Sequence, residues 1–241
     1  MEGKGKWPKA VFTDSKNTLF AWDIVWIRAS SNILKKYENN MDPEVFWRQW
    51  ATFATGENHR SAFGKPRSFT ESLRVALSYA FKYFGIPGSP DDVKFMTDLW
   101  DEVQPFPDTL AGLTRLKKLT KVFIYSNVET KYLDMMMNKL VGFRPDFIGD
   151  MDKSQSRKPS PLAYRWVLET AGRELNMEFN FSDVLYVAGP QWDVQGAMAL
   201  GMKGCWIHRP YRYSPEIDGV KPHYEVDDFG GVVKIVESSL S

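Results

Sequence analysis

The hydrophobic pattern changes period several times along the chain. Ala10-Val11-Phe12-Thr13 is a short continuous apolar run closed by Asp14 and the turn-prone Ser15-Lys16-Asn17, which predicts a buried strand carrying a carboxylate at its end. From Phe20 the recurrence becomes helical, through Trp22, Ile24, Val25, Ile27, Ile33 and Leu34 to Tyr37, where Asn39-Asn40 ends it. Asp42-Pro43 reads as an N-cap followed by the first helical position and opens a helix through Phe46, Trp47, Trp50 and Phe53. The polar stretch from Gly56 to Arg67, with Gly64 and Pro66, predicts a loop. Helical spacing returns from Ser68 to Phe84, stops at Gly85-Ile86-Pro87-Gly88, and resumes from Pro90 to about Val103.

Beyond Gln104-Pro105 the pattern alternates. Helix 109–118 precedes strand 121–125, helix 131–141 precedes a short strand at 147–149, and a polar loop through Arg157-Lys158-Pro159 leads to helix 161–175. Strand 184–188, helix 192–200, strand 205–207 and a helix near 232–238 complete the series. Strands separated by helices predict a parallel sheet covered on both faces, an α/β fold. No strand is evident between Phe20 and Val103, so residues 20–104 read as a helical insertion in a core made of 1–19 and 105–241.

At 241 residues, 43% hydrophobic and 15% aromatic, the chain can bury a sizeable core. Lys and Arg (31) nearly cancel Asp and Glu (30), which argues against a nucleic-acid partner and favours small-molecule chemistry. No apolar run is long enough for a signal peptide or a membrane span, and the single Cys205 has no internal disulfide partner, so a cytoplasmic protein is expected. His59, His208 and His223 show no ligand spacing, so neither a metal nor any other cofactor is expected. Nine tryptophans are compatible with a homodimer without locating its interface.

Four strand ends carry candidate chemistry: Asp14, Ser126-Asn127, Lys158 and Asp193. In an open parallel sheet, ligands bind off the carboxyl ends of the strands. Asp14 reads there as a nucleophile, or as a turn former. Lys158 would keep a neighbouring carboxylate ionised, or lie in solvent. Ser126 and Asn127 offer donors for an anion, or cap a helix. Asp193 reads as a helix N-terminal acid, while Trp192 walls a pocket or fills core.

Asp14 with Thr18-Leu19, Ser126-Asn127, Lys158-Pro159-Ser160-Pro161 and Trp192-Asp193-Val194-Gln195-Gly196-Ala197 resemble, in order, motifs I to IV of the haloacid dehalogenase superfamily, and within it the L-2-haloacid dehalogenase group. The resemblance implies a HAD-like Rossmannoid sheet with residues 20–104 as a helical cap. It implies a hydrolase in which Asp14 displaces halide from a small 2-haloacid, giving an aspartyl ester that water cleaves, with Lys158 and Asp193 as its catalytic companions. Ser15, Lys16, Ser126, Asn127, Arg60 and Trp192 become the implied substrate-binding set, Arg60 standing for the cap arginine of that group.

The chain also departs from the pattern. Superfamily phosphatases place a second Asp where Lys16 stands and an additional motif IV acid near Gly189, which disfavours magnesium-dependent phosphoryl chemistry here. The dehalogenase group usually has Tyr at Lys16, Gly at Asn17, and Ser and Asn where Ala188 and Pro190 stand. The competing readings are a HAD-type phosphatase or other ester hydrolase, and a binding protein that keeps the fold without turnover.

Overall fold

The computed structural model describes residues 7–61, 67–210 and 220–240, without the side chains of His59 and Ser61. Gly64 and Pro66 of the expected loop lie outside them. The chain opens with β1 (Ala10–Thr13) and four helices, α1 (Trp22–Lys36), α2 (Pro43–Ser61), α3 (Phe69–Tyr83) and α4 (Pro90–Thr97). There follow α5 (Thr109–Leu119), β2 (Lys121–Ser126), α6 (Thr130–Met137), β3 (Phe147–Asp150), the short α7 (Met151–Ser154), α8 (Pro161–Leu175) and β4 (Val184–Ala188). The chain then forms α9 (Gln191–Met198), β5 (Lys203–Ile207), β6 (Tyr224–Val226) and α10 (Phe229–Ser238).

Local chemistry accounts for most boundaries. Asp42 Oδ1 accepts the Glu44 N–H at 2.7 Å as α2 begins, Ser68 caps α3, and Ser89 with Asp92 forms a capping box ahead of Pro90. Three boundaries differ from the hydrophobic pattern. α2 continues through Gly56 to Ser61, because its inner face packs Ala54 and Asn58 into the protein and outweighs the roughly 1 kcal/mol helical penalty of glycine. The helix from Pro90 ends at Thr97 and is followed by a separate 3-10 turn at Trp100–Glu102. α6 stops at Met137, ahead of a left-handed Gly142.

Among the described residues the six strands are all parallel, in the order β3-β2-β1-β4-β5-β6. β1 is therefore central, and the direction of winding reverses between β1 and β4. Alternate strand residues feed opposite faces. Val11, Val122, Ile124, Leu185 and Val187 pack with α5, α6 and α10, whereas Phe12, Phe123, Tyr125 and Tyr186 pack with α8 and α9. The first of these cores continues without a break into the helices between β1 and α5, through Trp22, Trp26, Trp50 and Trp100. Trp22 stacks on Trp26 at 4.0 Å and meets Trp100 edge-on at 4.4 Å. This helical block thus stands beside the carboxyl edge of the strand that precedes it.

Candidate active site

Asp14 extends β1 by one residue, its N–H donating to the Val187 carbonyl at 3.1 Å, so it stands at the reversal between β1 and β4. Around it converge groups far apart in the chain. Lys158 Nζ donates to Asp14 Oδ1 at 2.7 Å, to Asp193 Oδ2 at 2.6 Å and to the Tyr186 hydroxyl at 3.0 Å. Tyr164 donates to the other Asp193 oxygen at 2.6 Å. The ammonium is buried and its three donors are satisfied, so its direction is set.

The second Asp14 oxygen accepts from the Thr18 hydroxyl at 2.9 Å, and that hydroxyl accepts the Gly189 N–H at 2.9 Å, which leaves its proton for the carboxylate. This relay needs the Asp14–Thr18 turn pressed against Gly189, where an added Cβ would lie 2.0 Å from the Asn17 carbonyl oxygen. Asn17 turns the chain at φ +53°, a left-handed conformation asparagine tolerates. Its amide is held by Asp23, which accepts from Nδ2 at 2.9 Å and donates its backbone N–H to Oδ1 at 3.0 Å. From the other side Arg209 donates to the Thr18 carbonyl and grips Asp108 with two hydrogen bonds of 2.8 and 3.0 Å.

A small cavity opens on Asp14 and Lys158, lined also by Lys16, Thr55, Asn58, Phe69, Ser126, Asn127, Val128, Pro190 and Trp192. It adjoins a wider recess between α1 and α2 across Lys16, Thr55, Asn58, Phe69 and Trp192. Lys16 Nζ sits 4.8 Å from the Phe69 ring centroid and 5.0 Å from that of Trp22, a cation–π arrangement at the cavity wall. Trp192 is a wall residue of both spaces.

Not every expected residue meets the cavity. Arg60 does not line it: the side chain is 68% exposed and paired with Glu57. The cause is helical phase, since Thr55 and Asn58 face inward and Arg60 lies roughly 200° around α2 from Asn58. Ser15 is buried behind the wall, where its hydroxyl donates to Ser126 Oγ at 2.8 Å; it positions a lining residue and is not one. Ser126 Oγ also accepts the Val128 N–H at 3.2 Å, so its own proton remains to be donated. Asn127 reaches the cavity edge, but its amide is clasped to the Lys158 backbone, donating to the carbonyl and accepting from the N–H, both at 2.8 Å. Asp193 is wholly buried beneath Lys158, which favours orienting the ammonium over holding a water.

Burial by itself would strip the proton from Lys158, but Asp14 and Asp193 more than offset it and raise the ammonium pKa above its usual value. Burial pushes the Asp193 carboxyl up, with Lys158 and the Tyr164 hydroxyl pulling against it. Burial, reinforced by Asp193, also raises both phenols, Tyr164 and Tyr186, keeping them neutral. The result is a carboxylate on a cavity wall, backed by a permanently charged lysine and a directed hydroxyl, which is an arrangement for nucleophilic attack.

Sequence reasoning missed Tyr164, Tyr186 and the buried Arg157, whose Nη1 donates to Asn58 Oδ1. Tyr186 carried a usable signal, since it is the one hydroxyl-bearing side chain in a strand whose other residues are all aliphatic. Nothing local distinguishes Arg157 from the polar loop around it.

No family model matches the chain. Among curated proteins it is 26% identical to haloacetate dehalogenase H-2 of Moraxella sp. (strain B) over 81% of this chain and 84% of that one. It is also 26% identical to (S)-2-haloacid dehalogenase H-109 of Pseudomonas putida over 70% and 74%. Among solved structures, the L-2-haloacid dehalogenase of Xanthobacter autotrophicus superposes with a TM-score of 0.79 at 22% identity, covering 95% of this chain and 98% of the other. The same enzyme with chloropropionic acid covalently bound gives 0.78 at 21%, with the same coverage. The architecture is thus that of the haloacid dehalogenases.

Proposed function

We propose that this chain, haloacid dehalogenase-like in sequence and in fold, is a hydrolase that cleaves the carbon–halogen bond of small 2-halo carboxylic acids. In this reading residues 20–104 act as a cap over a core of 1–19 and 105–241, in a cytoplasmic protein. An Asp14 oxygen attacks C2 of the acid from the side opposite the halogen. The halide departs with the bonding electron pair, the carbon inverts, and Asp14 is left as an ester. Water then adds to the carboxyl carbon of that ester and loses a proton. The tetrahedral adduct collapses to the 2-hydroxy acid and a free Asp14 carboxylate, so each turnover releases one halide and one proton.

The observation that carries this reading is the Lys158 ammonium held by Asp14 and Asp193 at the edge of the cavity. It directs one Asp14 oxygen and stands ready to stabilise charge on the ester oxygen during hydrolysis. Thr18 limits rotation of the same carboxylate. Lys16 supplies a cation for the acid's own carboxylate, Ser126 donates a hydroxyl, and Phe69 and Trp192 provide apolar walls for the halogen.

The test is incubation with 2-chloropropionate in the presence of a chelator, following chloride release and the intact mass of the quenched protein. The expected result is chelator-insensitive chloride release and a transient adduct on Asp14. Magnesium-dependent phosphate release from a phosphate ester, with no chloride release, would overturn the reading in favour of a phosphatase. Ligand binding without turnover of any halo acid or ester would leave a binding protein.

A further inference from the structure

Arg157 is almost wholly buried one residue before Lys158, and the reaction just described makes no use of it. It does not line the cavity. Its Nη1 donates to Asn58 Oδ1 across 99 residues of chain, and its Nη2 lies 3.1 Å from Met151 Sδ. A guanidinium carries only donors, so this contact admits one orientation of the Asn58 amide: oxygen toward Arg157, nitrogen on the opposite branch. Asn58 does line the cavity, together with Lys16, Thr55, Phe69 and Trp192.

The charge balance explains why that orientation matters. Asp14 and Asp193 set two carboxylates against the single Lys158 ammonium, so an incoming anion needs donors elsewhere on the wall. Among the lining residues, Lys16 is the other cation. Arg157 stands off the cavity wall, where burial lowers its pKa and Glu129, with Asp152 and Glu71, only partly offsets that. Its contribution at the cavity is therefore direction, delivered through Asn58.

We propose that Arg157 is a positioning residue that turns the Asn58 N–H pair toward the cavity, and that Asn58 and Lys16 together bind a compact monoanion there. The inference rests on the reading of the cavity as the substrate site. The anion is the acid's carboxylate or the departing halide, which share this chemistry.

The experiment uses the full chain and needs no turnover. Bromide and propionate are titrated separately, bromide by its NMR line broadening and propionate by saturation transfer to its methyl group. Asn58→Asp keeps an oxygen for Arg157 but replaces the N–H pair with a second acceptor; it should fold as stably as the wild type and bind the anion at least about tenfold more weakly. Arg157→Gln should weaken binding by about three- to tenfold alone and add nothing in an Asn58→Ala background. Loss confined to bromide assigns the subsite to the halide, and loss confined to propionate assigns it to the carboxylate. If Arg157→Gln does not fold, Asn58→Asp decides alone. Wild-type affinity for both anions in Asn58→Asp, absence of binding by the wild type, or a further loss from Arg157→Gln in the Asn58→Ala background overturns the proposal. Asn58-dependent anion binding without halide release would sink the dehalogenation reading and leave this one standing.

Discussion

Replacing Lys158 with Met is the most informative perturbation of the site. The side chain keeps its length and loses its charge, leaving Asp14 and Asp193 buried without their shared partner. Each carboxylate oxygen lies within 2.7 Å of the same nitrogen, so the two oxygens are at most about 5.3 Å apart. Two negative charges at that separation repel by about 3 kcal/mol at an effective dielectric near 20, which favours protonation of one carboxyl. Removing one partner of a buried pair costs about 3–5 kcal/mol in total. The proton goes to Asp193, which burial already pushes up.

The sign of the pH dependence follows from that proton. In the variant the folded protein binds it more tightly than the unfolded chain, so stability rises as pH falls from about 8 to 5. The wild type gains less from Asp193 over that range, because Lys158, with its raised pKa, stays charged until strongly alkaline pH and pulls against the burial of that carboxyl. Denaturant melts at pH 8 and pH 5 measure the effect directly, the variant recovering at least about 1.4 kcal/mol relative to the wild type at the lower value. Halide release measured in parallel should fall by at least about a hundredfold at pH 7. A variant as stable as the wild type at pH 8, with no relative gain at pH 5, would refute a buried two-carboxylate cluster held by one ammonium.

Four further outcomes follow from the geometry. Asp14→Asn removes the attacking oxygen, so halide release should drop by at least about 10⁴-fold and the mass adduct should vanish while the melting temperature holds within a few degrees. Lys16→Met keeps the contact with Trp22 and Phe69 but not the charge; KM for 2-halo acids should rise by about ten- to a hundredfold with a much smaller change in kcat, measured by steady-state kinetics. Gly189→Ala forces a Cβ against the Asn17 carbonyl and should cost more than about 2 kcal/mol together with most of the activity. Gly142→Ala, at φ +81° with nothing near its Cβ, should cost only about 1 kcal/mol by chemical denaturation and leave turnover intact.

Much of this was legible in the linear chain, because strand and helix periods are local and their punctuation is chemical. β4 and α8 occupy the residues their apolar periods predict, and Pro161 after Ser160 marks the start of α8 as an N-cap and first turn should. Parallel topology also obliges strand ends to meet on one edge, which is why Asp14 and Ser126-Asn127 could be paired before any coordinates. β6 escaped notice because three residues pairing only with β5 carry too little period to detect.

What the tertiary structure alone decided is which side chains at that edge face the cavity and which support from behind. Ser15, Asn127 and Asp193 became supports, whereas Asn58 replaced Arg60, because helical phase and burial set direction and neither is encoded within a few residues. The same holds for Arg157 on Asn58 and Arg209 on Asp108. A buried guanidinium is tolerated only where acceptors from distant segments arrive to meet it, and that meeting is a property of the packed molecule.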